Sequence, residues 1–281
     1  MEILYLDDAS NDGTFEKAGE YAQRFTDKFR RVIFIQNKDN QGLVKSLNKL
    51  VNLCEGKYVK FLAADDFLLP DSIEKLEIFM NEHTHFDMAY SNGVVGNSDT
   101  HFPIEKLDSF KYIYQKSQTS GSMIFDDLYS RDFISAPTVM IRKEAYKKFG
   151  LYDEQIGVED WEFFLRIAAK GNIGYLNEIT VMYRILEDSL SHSSRPERRM
   201  NMKKSELMIL EKYKHMAKQS EEKIETSLNE ALSDAFHIGN NEYIVYLYDY
   251  AQNNNVKIST RNLFKHLLYK IKVIKLLDSL S

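Results

Sequence analysis

Alternating and periodic apolar positions divide the front of the chain into short strands and helices. Glu2 to Leu6 reads as a strand, and Phe15, Ala18, Ala22, Phe25 and Phe29 recur at helical spacing behind it. Val32 to Ile35 is the next strand. Gly42 then opens a helix carrying Leu43, Leu47, Leu50 and Cys54, with Gly56 placed to end it. Tyr58 to Leu62 reads as a strand, and Pro70 suits the first turn of a helix whose face is Ile73, Leu76 and Met80. Phe86 to Ser91 and Thr138 to Arg142 are further strands, the latter followed by a brief helix ending near Gly150. Trp161, Phe164, Leu165 and Ala168 form an amphipathic helix stopped by Gly171, and Ile173 to Ile185 is extended. Strand and helix in alternation predict an α/β fold, a mostly parallel sheet with flanking helices.

Two stretches interrupt this pattern. Ser98 to Gly121 is polar, aromatic and weakly periodic, as functional loops and insertions are, and Asp188 to Pro196 is a polar loop containing His192. From about Pro196 the strand signals fade and helical spacing dominates, with helices expected near 197–218, 221–238, 241–254 and 260–279. The expected division is a sheet domain over 1–195 and a helical C-terminal region over 196–281.

Composition narrows the function classes. The 281 residues are 43% hydrophobic and 28% charged, with a net charge of −5, so no overall basic field favours nucleic acid. Cys54 is the only cysteine, which excludes an internal disulfide and a cysteine-rich zinc site and suits a reducing compartment. No stretch approaches membrane-spanning length, and the first residues do not read as a signal peptide. A cytoplasmic protein is expected. The basic, apolar run Arg261 to Leu277 allows peripheral contact with the inner face of an anionic membrane.

The candidate chemistry lies where apolar runs stop at acids. Asp65 and Asp66 end the Tyr58 strand, the place where open α/β sheets bind ligands, and a hard cation carrying phosphates suits such a pair. Taken alone, the pair also fits a solvated turn that caps the next helix. Asp7-Asp8-Ala9-Ser10-Asn11-Asp12-Gly13-Thr14 is a turn crowded with Asx and Gly residues. Glu159 and Asp160 open the Trp161 helix, where acids also suit the helix dipole.

The order of these signals resembles the family 2 glycosyltransferases of the GT-A fold. The Asp7 to Thr14 turn is similar to that family's Asp-Asp-Gly-Ser-x-Asp-Gly-Thr. Asn40-Gln41-Gly42, with Leu47-Asn48 and Gly56-Lys57-Tyr58, resembles its Asn-x-Gly helix. Phe61 to Asp66 with Pro70 resembles its Asp-x-Asp-type metal motif. Glu159 to Arg166, then Gly171 and Tyr183-Arg184, resembles its Glu-Asp helix and closing segment. The likeness runs across roughly 1–192 and leaves out the helical tail.

That resemblance implies a Rossmann-like sheet and transfer of a sugar, with inversion, from a nucleoside-diphosphate-sugar (a UDP-sugar above all) to a glycan or lipid-linked acceptor in bacterial surface polysaccharide or glycan synthesis. It implies Mn²⁺ or Mg²⁺ on Asp66 and Asp65, nucleotide-sugar binding by Asp7, Asp8 and Asp65, and Asp160 as catalytic base supported by Glu159. Three departures accompany it. The family's opening strand and helix, ahead of the acidic turn, have no counterpart here. Ala63 stands for the metal motif's leading acid, and Leu186 stands near the place of a frequent histidine. The first departure motivates a second expectation, a non-catalytic relative that binds a partner through its helical tail. A nucleotide-binding Rossmann enzyme of another kind is disfavoured, since no Gly-x-Gly-x-x-Gly follows a strand.

Overall fold

A computed structural model of the chain describes residues 1–24, 26–97, 124–185 and 195–267. The stretch expected as a loop at 98–121, Leu186, His192 and the end of the terminal helix lie outside the described residues. Two compact units divide the chain, Met1–Leu186 and Glu187–Ser281.

The first unit runs β1 (Glu2–Asp7), α1 (Thr14–Gln23), β2 (Arg31–Gln36), α2 (Leu43–Leu53), β3 (Tyr58–Val59), β4 (Phe67–Leu68), α3 (Ser72–Glu82), β5 (Met88–Asn97), α4 (Ile124–Ser130), β6 (Met140–Arg142), α5 (Lys143–Phe149), α6 (Glu159–Lys170) and β7 (Ile173–Ile185). β1 and β2 pair in parallel along their whole length, Glu2 opposite Arg31 and Asp7 opposite Gln36. The other strands form a sheet in the order β3-β6-β5-β7-β4. Its spine is the parallel pair β5–β7, which shifts register around Asn92. Each antiparallel pairing joins only two residue pairs, so most paired residues are parallel. Among the described residues β1 and β3 each keep one edge without a strand, and the strands form two sheets.

Burial follows the periodicities. α3 turns Leu76 and Met80 fully inward against Phe86, Ala89 and Met140. α6 buries Trp161, Phe163, Phe164, Leu165 and Ile167, and the Trp161 indole N–H donates to the Leu128 carbonyl at 2.8 Å, locking α6 to α4. α1, in contrast, has no buried residue.

Several local expectations are corrected. β3 stops at Val59 rather than Leu62, because its partner β6 is preceded by a 3-10 turn, Ala136–Thr138. Pro137 in that turn has no N–H for a longer ladder. Phe67 and Leu68, expected to lead straight into a helix, instead pair with Met182 and Val181. α3 starts at Ser72, so Pro70 lies outside its first turn. α2 ends at Leu53 with Cys54 extended, and Gly56 does not terminate it; the Glu55 and Gly56 N–H groups donate to Glu2 Oε1 at 2.6 and 2.7 Å.

In the second unit α7 (Pro196–Tyr213), α8 (Ser220–Ile238) and α9 (Asn241–Asn253) pack around Leu207, Leu228, Leu232 and Leu247. Gly239 ends α8 with φ +75°, and the Asn240 side chain caps α9 by accepting from Tyr243 N–H at 2.9 Å. A further helical stretch over 260–267 exposes Leu263, Phe264 and Leu267. No described helix is long and apolar enough to cross a membrane.

Candidate active site

The acidic turn after β1 is held by its own carboxylates. Asp7 Oδ1 accepts from Ser10 N–H at 2.9 Å and from the Gln36 amide at 3.3 Å. The Ser10 donors keep its pKa below the ordinary carboxylate range although the residue is buried. Asp8 reaches across to the start of α2, accepting from the Asn37 amide at 2.7 Å, Gln41 N–H at 2.9 Å and Gly42 N–H at 2.8 Å. Burial works against the Asp8 charge, but these donors outweigh it and depress its pKa. Asp7 and Asp8 therefore set the shape of the turn with their side chains. Between them and Ser10, Ala9 is forced to φ +68°, a left-handed conformation costly for an L-residue with a Cβ. Ala9→Gly is expected to stabilise the fold by about 0.5–1 kcal/mol, the strain relieved less the extra freedom of an unfolded glycine. A urea midpoint that falls instead of rising would show that the turn is not strained at Ala9.

The second acidic element is a tight turn in which Asp66 N–H donates to the Ala63 carbonyl at 3.2 Å. Asp66 is buried, and its Oδ1 accepts from Arg184 N–H on β7 at 3.2 Å. Burial first, then the neighbouring Asp65 charge, lifts its pKa to about 6 against the pull of Arg184 and Lys60. The Lys60 ammonium donates to the carbonyls of Pro137 at 2.6 Å and Val139 at 3.3 Å. Burial brings Lys60 down to about 7, opposed by the Asp66 charge. Arg184 Nε donates to the Asp65 carbonyl, and the guanidinium lies 4.7 Å from the centre of the Phe67 ring.

Glu159 and Asp160 open α6. Asp160 Oδ1 accepts from Trp161 N–H at 2.8 Å. Burial, then the Asp160 charge, raises Glu159 to about 8; burial also raises Asp160, against the Trp161 N–H. Asp132 joins them. It keeps a face to solvent but is hemmed in by protein, and that desolvation, with the Asp160 and Glu159 charges, lifts its carboxyl well above the usual range.

A ring contact links the two later sites. Phe61, on the segment leading to Asp65, packs edge-on against Tyr152 at 6.1 Å between centres, and the buried Tyr152 phenol feels the charges of Asp160 and Glu159. Sequence reasoning missed Lys60 and Asp132, and it placed Arg184 in the closing segment without a role. A lysine inside the apolar run Tyr58 to Leu62 was the available signal for Lys60. Among the described residues no three His, Cys, Asp or Glu side chains gather in a metal-holding group. Asp65 and Asp66 still suit Mg²⁺ or Mn²⁺ of the kind held by one or two carboxylates, with substrate phosphates and water completing the shell.

A parallel strand pair whose first strand ends in the Asp7–Asp8 turn, an Asp65–Asp66 turn tied to β7 and a carboxylate pair opening α6 stand on an α/β fold of the GT-A glycosyltransferase type. A mannosyltransferase of Pyrobaculum calidifontis, solved with GDP-Man and Mn²⁺, shares this fold at TM-score 0.54 and 14% identity over 99% of this chain and 78% of its own. The S. aureus protein TarS, residues 1–349 with UDP-GlcNAc, does so at TM-score 0.57 and 17% identity over 83% of this chain and 64% of that one. Residues 1–150 match "Glycosyl transferase family 2", and the chain belongs to that family. An uncharacterized glycosyltransferase of Methanocaldococcus jannaschii is 28% identical over 65% of this chain, which spans 59% of that relative's length. A Bacillus subtilis protein named for teichuronic acid biosynthesis, TuaG, is 27% identical over 68% of this chain and 69% of its own.

Proposed function

We propose that this glycosyltransferase moves a sugar from a nucleoside-diphosphate-sugar to an acceptor hydroxyl with inversion, in the synthesis of a bacterial surface polysaccharide or glycan. The observation that carries the reading is the pair of acidic sites joined through Phe61 and Tyr152, one suited to a diphosphate and the other to a proton. In a single displacement the acceptor oxygen attacks the anomeric carbon. Its new C–O bond forms as the bond to the nucleoside diphosphate breaks, and its proton passes to a carboxylate. Asp160 is that carboxylate. It has the Trp161 N–H as donor, while Glu159, raised to about 8, holds a proton beside it. The Asp160 charge helps keep the proton on Glu159, which suits a division of roles between base and support.

Asp66, with Asp65, is the place for Mn²⁺ or Mg²⁺, which when bound neutralises the leaving diphosphate. Asp7 and Asp8 shape the nucleotide end of the site through the turn they hold. A UDP- or GDP-sugar is the donor class, supported by the nucleotides bound to the two structural relatives. The polysaccharide setting is supported by the name of TuaG. The exposed Leu263, Phe264 and Leu267, with Arg261 and Lys265 among them, support contact with an anionic membrane at the cytoplasmic face and a lipid-linked acceptor.

Calorimetric titration with UDP and GDP, with and without MnCl₂, tests the donor site. Asp66→Asn keeps the shape of the side chain and removes its charge. It is expected to abolish the gain in affinity that manganese gives. In the unsubstituted protein that gain should fade as pH falls through about 6, since the protonated carboxyl no longer binds a cation. A manganese effect that persists in Asp66→Asn refutes the assignment. Protein that binds neither nucleotide, with metal present, refutes the donor reading and leaves the partner-binding one.

A further inference from the structure

We propose that Arg184 is a diphosphate-binding residue, its two terminal amines engaging the phosphates of the donor beside the Asp65–Asp66 turn. The inference rests on the donor reading above and adds a residue to it. Arg184 is attached to the acidic turn at two points, its N–H on Asp66 Oδ1 at 3.2 Å and its Nε on the Asp65 carbonyl. Its guanidinium lies over Phe67, which is 42% exposed, so the head group is held at a surface rather than in the core.

Five N–H donors form the guanidinium fork, and the Nε bond uses one of them. Among the described residues neither terminal amine has a protein acceptor, and no Asp or Glu forms an ion pair with this guanidinium. Arg142 and Arg166, in contrast, spend their forks on backbone carbonyls or a buried carboxylate. An arginine present only to balance Asp65 and Asp66 would turn its fork onto their carboxylates. This one donates to a carbonyl instead, which leaves a planar pair of donors pre-oriented by the Nε bond and the Phe67 ring. Planar donors of that kind match two oxygens of a phosphate group. The placement puts a fixed cation next to carboxylates suited to a metal, so both can meet the phosphates of one ligand.

The test uses the full chain and inorganic pyrophosphate, UDP, GDP and UMP as probes, titrated with MnCl₂ and again with EDTA. Arg184→Gln is expected to weaken pyrophosphate, UDP and GDP by roughly 10–100-fold, the worth of hydrogen bonds to a charged group, in both conditions. The preference for UDP over UMP should shrink with it. Asp66→Asn, by comparison, is expected to lose affinity only where manganese is present. Arg184→Lys keeps a cation and gives up the fork, so it should fall between wild type and Arg184→Gln while melting as the wild type does. If Arg184→Gln and Arg184→Lys both bind pyrophosphate and UDP as the wild type does, Arg184 is a brace for the turn and the proposal falls alone. If the wild type binds none of these probes with manganese present, the donor reading and the proposal fall together.

Discussion

Asp160→Asn is expected to lower sugar transfer by about 10²–10⁴, the usual worth of a positioned general base, while nucleotide binding survives. The substitution keeps the side chain's size and its acceptor for Trp161 N–H, so α6 should begin as before. What disappears is the ability to take a proton. The pH profile separates that role from a structural one. Burial raises both carboxyls of the Glu159–Asp160 pair, and the Asp160 charge adds to the lift on Glu159, which reaches about 8. A base must be ionised to act, so transfer by the unsubstituted protein should climb as pH rises through the range of the pair. The residual rate of Asp160→Asn should lose that climb. Glu159→Gln, which keeps a neutral donor beside Asp160 and removes the second ionisation, should leave the climb in place and cost less. Near wild-type transfer by Asp160→Asn would make Asp160 a helix-start acid and move the base elsewhere; Asp132, in the same electrostatic cluster, is the next residue to test.

The large elements were legible because each rests on a repeating apolar period. The Trp161, Phe164, Leu165 and Ala168 spacing is one face of α6, and the extended run Ile173 to Ile185 is β7 over its full length. The ends of elements were less legible, since pairing partners decide them. β3 halts where the turn containing Pro137 halts its neighbour, far along the chain from Tyr58. The same holds in the site. Acid pairs at the ends of apolar runs stand out in a sequence, whereas a lone Asp132 carries no pattern, and the patterns around Lys60 and Arg184 do not say what their side chains meet. Their character comes from contacts across 118 residues for Arg184 and Asp66, and 77 for Lys60 and Pro137. Asp8 shows the converse. Its motif was visible, but the structure shows it gripping Gln41 and Gly42, which no spacing rule announces.

Glu162→Ala is expected to destabilise the first unit by about 3–5 kcal/mol, the cost of stranding one member of a buried ion pair. Glu162 has no exposed surface, and its carboxylate accepts from Arg166 Nε at 3.2 Å and from Arg166 Nη2. Arg166 Nη1 donates on to the carbonyls of Phe149 at 2.9 Å and Leu151 at 2.7 Å, and its guanidinium lies 5.2 Å from the Phe163 ring centre. The pair thus ties the middle of α6 to the end of α5. Removing the carboxylate leaves the guanidinium charge enclosed without its counter-ion, and a shortened side chain also leaves a void. Against a typical domain stability of about 5–15 kcal/mol, that loss is large. Replacing both residues, as Glu162→Met with Arg166→Met, removes the stranded charge and should cost much less than Glu162→Ala alone. Urea unfolding of the three proteins decides it. A loss below about 1 kcal/mol for Glu162→Ala would mean that water reaches the pair and screens it. A double variant as unstable as the single one would mean that the Arg166 bonds to Phe149 and Leu151, rather than its pairing with Glu162, hold α6 and its opening acids in place.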